Sequence, residues 1–423
     1  MLYYALVSTA ISDDRSKLRG GMRLLAEIAH KHGIPITWAI DATSARTFAN
    51  DFTKWHEAYG DEPLLMLDIT PIWETEADLG DARQAAEHIV TMREKLPDYI
   101  SSEWNKVERR LPWAAPIVAG AEWKNHVLLY ALEQVGFKGL WGYRSEVEED
   151  RGCPFGFFFP SADRHNFAGH PASQVVAIPH ASIDCLRTNL TSTSQGVSED
   201  NAPENLRFLT LNNTAQQAFD HYVTNLPWNR WLGYVEQINA ADVSTLTSER
   251  LEQLDAYFAH VCQQQETQIV PLSKAVSDYQ THCDQTLPTF LVDVDHETGT
   301  DEPPSTLIYY DAECQMRFEK DKMEPLEVKN YITPPVASRY GVELNLPQIE
   351  TFRPSRTRNQ LKMQFSLESS KGMTYGLAIW GDHTGLTLAK SNARSVTWVG
   401  DRLLFVRVDL TMGKNEIEVV LTI

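Results

Sequence analysis

The stretch LYYALVSTAISDDRSKLRGGMRLLAEIAHKHGIPITWAID, residues 2–41, sets the architecture of the first two thirds of the chain. Residues 2–11 form a nearly unbroken apolar run, the pattern of a strand buried on both faces. Residues 12–16 are polar and turn-forming. From Arg19 to His32 the apolar residues Met22, Leu25, Ala26 and Ala29 recur at helical spacing, and Gly33 stands where a left-handed C-cap belongs. Residues 34–40 begin a second strand. Strand, helix and strand joined by short turns make the unit of a parallel sheet.

The same alternation continues. Helical residues 44–59 lead to a strand at 64–69, and a long helical stretch at 77–110 leads to a Pro-bounded strand at 117–120. A helix at 125–135 is closed by Gly136, and strands follow at 139–143 and 175–178. After a polar loop at 191–204 the pattern gives a strand at 207–211, a helix ending near Leu226 and a strand at 231–237. A helix at 248–264 and the segments 269–271 and 272–279 close the set. From about His282 the style changes. Pro288, Pro303, Pro304, Pro325, Pro334, Pro335 and Pro347 punctuate short alternating runs such as 361–367, 375–380, 403–408 and 416–423, the pattern of an all-β, sandwich-like module. At 423 residues the chain exceeds what one core usually organises. Two domains are therefore expected, an α/β domain over 1–282 and a β-domain over 286–423.

Lys and Arg total 38 against 57 Asp and Glu, a net charge of −19 that repels a phosphate backbone and an anionic membrane surface. Nucleic acid and membrane are excluded as expected partners. The five cysteines are odd in number, widely spaced and form no C-x-x-C pair, so they read as reduced thiols. The N-terminus carries an apolar run of only about ten residues with no basic leader, unlike a signal peptide. The sequence as it stands reads as soluble and cytoplasmic, with export open where a leader has been removed.

Several segments, in order, resemble the polysaccharide deacetylase superfamily. The strand ending Ala10-Ile11-Ser12-Asp13-Asp14 is similar to its first motif, HGIPITWAID (His32 to Asp41) to its second strand, and AGAEWKNHVLLYALEQVGFKGLWGY (Ala119 to Tyr143) to its third-motif region. VVAIPHASID (Val175 to Asp184) and RWLGYVEQINA (Arg230 to Ala240) are similar to later strands. The resemblance covers about residues 1–280 and implies a distorted (β/α)7-type barrel with its site at the C-terminal ends of the strands. It implies Asp13 as base and Asp14 as ligand of a divalent metal. Departures stand beside these matches. LLMLDITPIW (Leu64 to Trp73) has no histidine where the family carries a pair, the third-motif arginine is absent at Ala121-Glu122-Trp123, and Glu236 stands where the late strand usually presents a histidine.

By residue chemistry, adjacent aspartates after a strand serve either an active site or a helix N-cap. Asp68 with Asp14 makes an oxygen donor pair suited to Mg, Mn or Ca more than to Zn. A site with no metal stays open. Glu122 and Glu236, by family position, point to the barrel mouth and offer a carboxylate pair for a glycosidic bond. The segment 141–161 is rich in aromatic residues. Trp141, Tyr143, Phe155, Phe157 and Phe158, with Trp123, are candidate sugar-stacking faces, and Arg144, Glu146, Asp150 and Arg151 candidate hydroxyl partners; the alternative is that the segment, with its three phenylalanines, folds back into the core. Trp380 and the turn Gly381-Asp382-His383 either bind sugar or pack against the barrel. The leading expectation is a carbohydrate-active hydrolase that removes acyl groups from an oligo- or polysaccharide. A glycoside hydrolase and a non-catalytic carbohydrate-binding protein are the alternatives.

Overall fold

The computed structural model describes residues 1–70, 72, 82–121, 126–143, 154–162, 168–169, 172–179, 215–292, 307–319, 323–326, 330–333, 335–336 and 346–423. In chain order the first part runs β1 (Leu2–Thr9), α1 (Arg15–Lys31), β2 (Ile36–Ile40), α2 (Ala42–Tyr59), β3 (Glu62–Leu67), α3 (Ala82–Glu108), β4 (Val118–Ala121) and α4 (His126–Val135). It continues with β5 (Gly139–Tyr143), β6 (Val176–Pro179), α5 (Ala215–Thr224), β7 (Leu232–Asn239), α6 (Ala240–Val243), α7 (Ser248–Gln263), β8 (Thr267–Ile269) and α8 (Leu272–His282). The strands form one parallel sheet in the order β6-β5-β4-β3-β2-β1-β7, with β8 also paired to β1, curled into a half-barrel. The expected α/β alternation is thus observed. The expected strand at 207–211 lies outside the described residues.

Both faces of the sheet are covered, which is why its strands read as continuous apolar runs. On β1, Leu2, Tyr4 and Leu6 join a core with Met22 and Leu25 of α1 and Tyr257 and Phe258 of α7. The alternate residues Tyr3, Ala5 and Val7 join an inner core with Leu64, Val118, Trp141 and Val176.

Helix α8 lies on that inner side, at the end where the strands begin. Its Leu272, Ala275, Val276 and Tyr279 are buried in the inner core, Leu272 and Val276 each contributing about 1.5–3 kcal/mol of apolar burial. No side chain of its own caps the helix. Glu62, at the start of β3, does so instead, accepting from the Ser273 amide at 2.8 Å and the Thr37 hydroxyl at 3.0 Å; the Leu272 amide donates to Thr37 Oγ1 at 2.9 Å. Burial pushes the Glu62 carboxyl above its ordinary pKa, with the hydrogen bonds from Ser273 and Thr37 opposing. The half-barrel is therefore plugged at the strand starts.

The second part is antiparallel β-structure: β9 (Thr289–Val292), β10 (Leu307–Asp311), β11 (Met316–Glu319), β12 (Glu324–Leu326), β13 (Asn330–Thr333), β14 (Pro335–Val336), β15 (Gln348–Arg356), β16 (Gln360–Ser369), β17 (Met373–Trp380), β18 (Thr387–Ser391), β19 (Ser395–Val399), β20 (Leu403–Leu410) and β21 (Gly413–Thr422). They form sheets β14-β11-β10-β9, β12-β13-β17-β20-β19 and β15-β16-β21-β18. The first of these belongs to both halves of the molecule. Leu291, Ile308 and Tyr310 are buried in the core outside the half-barrel, whereas Phe290, Val292, Leu307 and Tyr309 are buried in the β-core with Phe365, Leu377 and Phe405.

Two asparagines fasten β9. The Asn225 side chain donates to Val292 O and accepts from Val292 N, and Asn229 does the same with Phe290, all four bonds at 2.9 Å and all buried. The two amides follow α5, four residues apart, and complete the edge of β9 as a neighbouring strand would.

Candidate active site

With α8 sealing the opposite end, the open face of the sheet is where its strands finish, the usual place for a ligand in a parallel α/β sheet. Thr9, Ala39 and Asn239 stand side by side there, at the ends of β1, β2 and β7. Leu64 and Met66 face the inner core, and Asp68 follows them at the same alternation just beyond β3.

The polar side chains of this rim do local work. Asp14 Oδ1 accepts from the amides of Ser16 and Lys17, both at 3.1 Å, and so caps α1; its Oδ2 lies 3.8 Å from Lys17 Nζ. Asp41 caps α2 through the Ser44 amide at 2.6 Å, and Asn239 caps α6 through the Ala241 amide at 3.0 Å. Asp68 accepts from the Thr70 amide at 3.0 Å, and its carbonyl receives the Tyr99 hydroxyl at 2.7 Å. Asp13 is exposed at the same rim and, among the described residues, no side-chain partner engages it. Positive helix ends therefore gather at the mouth, each matched by a capping side chain.

The expected divalent metal finds little to hold it among the described residues. No group of three or more His, Cys, Asp or Glu is gathered. Asp14 spends one oxygen on its helix and has an ammonium near the other, so it would have to surrender a cap to coordinate a cation. The described donor set fits a metal poorly.

Three expectations change in position. Glu236 does not face the mouth. It lies on the helix side of β7 between Tyr234 and Ile238, fully buried, where it receives the Tyr257 hydroxyl. Burial first, then the charge of Glu236, pushes the Tyr257 pKa up. Trp141 is inward-facing but buried among inner-core residues, and its indole lies over Gly120, where a Cβ would come within 3.1 Å of Cε3. It is floor, not platform. Phe155, Phe157 and Phe158 are likewise buried, as the core alternative expected. In the β-domain, Trp380 belongs to the β-core itself, and His383 is buried in its turn.

Glu122, Trp123, Arg144, Glu146, Asp150 and Arg151 lie outside the described residues, as does the side chain of Tyr143. Sequence reasoning passed over Thr9, Asp41, Gln237 and Asn239. The inner position of Gln237 and Asn239 was signalled only by their alternation with Gly233 and Val235.

No protein-family model matches the chain, and no curated protein matches it. Solved structures with a similar course include a Mycobacterium smegmatis protein whose assignment as a polysaccharide deacetylase is provisional, at 12% identity and TM-score 0.42 over 68% of this chain and 93% of that one. Puue allantoinase is similar at 11% identity and TM-score 0.43, over 67% of this chain and 92% of its own. A 4-alpha-glucanotransferase from Thermococcus litoralis is similar at 7% identity and TM-score 0.40, over 100% of this chain and 99% of its own. These are likenesses of overall course, and no activity follows from them.

Proposed function

We propose that the chain is a carbohydrate-directed hydrolase that removes acyl groups from a glycan at the strand-end rim of the half-barrel. The observation that carries the reading is the placement of Asp13 after β1 and Asp68 after β3 on one rim, separated by β2, with the opposite end of the sheet plugged by α8. Two strand spacings put these ends roughly 10 Å apart, room for one acylated sugar. Asp13, the carboxylate free of capping duty, acts as general base: it takes a proton from water as the new C–O bond forms at the acyl carbon. The acyl bond to the sugar oxygen or nitrogen then breaks, and the same proton passes to the leaving group.

Glycosidic cleavage by a Glu122–Glu236 pair loses support from the position of Glu236 on the helix side of the sheet. A binding role without chemistry is the second reading. It is favoured by Asp14 and Asp68 each giving an oxygen to a backbone amide, which leaves Asp13 as the one uncommitted member of the trio.

The test is acetate release from a panel of acetylated oligosaccharides, with and without chelator, for the wild type and for Asp13→Asn and Asp68→Asn. Release that falls at least a hundredfold in Asp13→Asn supports the hydrolase. New reducing ends in place of acetate would point to glycosidic cleavage. Binding without any product would establish the second reading.

A further inference from the structure

One cavity lined by described residues lies away from the rim. It measures about 690 Å³, within the range of small-ligand sites. Three parts of the chain line it: Phe159 with Ala168, Gly169 and Ala172 before β6, the connector 284–288 after α8, and the turn after β10 together with Arg407 of β20. It therefore opens at the seam between half-barrel and β-domain, on the side where the strands begin.

Its walls are held firmly. Asp311, fully buried, accepts from Arg407 Nε at 2.8 Å, from the Tyr309 hydroxyl at 2.6 Å, and from the amides of Glu313 and Cys314 at 3.0 and 2.7 Å. This fixes both the guanidinium and the turn that presents Gln315. Gln315 has φ 55, the one positive φ at a non-glycine among the described residues, and its side chain is exposed at the cavity. Such a conformation costs of order 1 kcal/mol or more and persists where the surroundings over-determine it. On the opposite wall Phe159 is half-buried, its ring 5.3 Å from that of Tyr279, and its amide donates to Thr286 Oγ1 at 3.0 Å.

The charge pattern selects the ligand. Arg407 is matched by Asp311, and Glu313 by Arg394 at 2.9 Å. Asp284 remains as the unmatched charge among the described lining residues, so no cation is left to receive a phosphate, sulfate or carboxylate. What remains among the lining residues is the aromatic Phe159 and two exposed amide side chains, Gln285 and Gln315. Such a set stacks on the apolar face of a sugar ring and exchanges hydrogen bonds with its hydroxyls.

We infer that this seam cavity is a second, non-catalytic binding site for an uncharged oligosaccharide. The inference rests on the carbohydrate reading above and deepens it: the chain holds its glycan at a point distant from the rim.

The test is calorimetric titration of the full chain with tetramers of glucose, mannose and N-acetylglucosamine, and with the acidic galacturonate tetramer. At least one uncharged tetramer is expected to bind, and the acidic one at least tenfold more weakly. Affinity is expected to fall tenfold or more in Phe159→Ala and in the surface pair Gln285→Ala/Gln315→Asn, and to stay within twofold in Glu236→Gln, whose side chain lies behind the sheet; Asp13→Asn/Asp68→Asn is titrated beside them to read the rim. The surface pair guards against a fold defect in Phe159→Ala, with thermal unfolding followed for each. The inference is overturned by no binding of any uncharged tetramer, by equal binding of the acidic one, or by affinity unchanged in both cavity variants. Loss confined to the Asp13/Asp68 variant would overturn it while supporting the rim as the glycan site. Cavity binding without acetate release would uphold it and remove the hydrolase.

Discussion

Replacing Asn225 by alanine strips both hydrogen bonds from Val292, a residue only 2% exposed. A buried N–H or C=O left without a partner costs about 1–3 kcal/mol, so the variant, which orphans one of each, should lose about 2–6 kcal/mol. Asn225→Leu tests the cause. It keeps side-chain volume but not the amide, and if the bonds matter it should be destabilised about as much as alanine. Asn225→Asp keeps an acceptor for Val292 N but sets a carboxylate against Val292 O, and should fare no better than alanine. The Asn225/Asn229 double alanine should cost less than the sum of the singles, because both side chains hold one strand and are coupled. Urea unfolding followed by tryptophan fluorescence and by far-UV dichroism gives these values. A loss under about 0.5 kcal/mol for alanine, or rescue by leucine, would refute the account of β9 as an edge completed by side-chain amides.

Three further outcomes are expected. His383 is buried, and burial, with Arg356 and Arg402 nearby, pulls its pKa down to about 4 against the opposing charge of Asp382 and a hydrogen bond to the Arg402 backbone. The unfolded chain therefore takes up this proton first: stability is complete above pH ~6.5, falls as pH drops toward 4 and levels off below, by about 3 kcal/mol in all; urea midpoints across that range should show the slope in the wild type and lose it in His383→Leu. Glu62→Ala, which uncaps α8, should cost about 1–3 kcal/mol, read by thermal unfolding. Glu236→Gln should leave acetate release or glycan binding within twofold of wild type, since the side chain lies behind the sheet; a hundredfold loss without unfolding would return Glu236 to the site.

How far the sequence could be read follows from the range of the forces involved. The alternation of strand and helix is local, and the observed β1 (Leu2–Thr9), α1 (Arg15–Lys31) and β2 (Ile36–Ile40) fall where the apolar spacing and Gly33 put them. Which face of a strand meets the mouth is not local. On β7 both Tyr234-Glu236-Ile238 and Gly233-Val235-Gln237 alternate plausibly, because both faces of the sheet are buried, and only packing against α7 decides that Glu236 turns outward. The aromatic segment was ambiguous for the same reason: Phe157 and Phe158 belong to different cores, a fact fixed by contacts with distant residues such as Tyr279. The rim aspartates were legible both as caps and as candidates for chemistry. Geometry shows the capping of Asp14, and leaves Asp13 uncommitted.

The sheet β14-β11-β10-β9 bears on how such a chain can be edited. Its alternate side chains are spent in two different interiors, so a truncation before β9 strips Leu291, Ile308 and Tyr310 from the first, and one after β14 strips Phe290, Leu307 and Tyr309 from the second. No single cut releases a transplantable β-module. A graft of the C-terminal part onto another scaffold would have to bring along a host surface that replaces Asn225 and Asn229, and a chain built this way gains or loses its halves together.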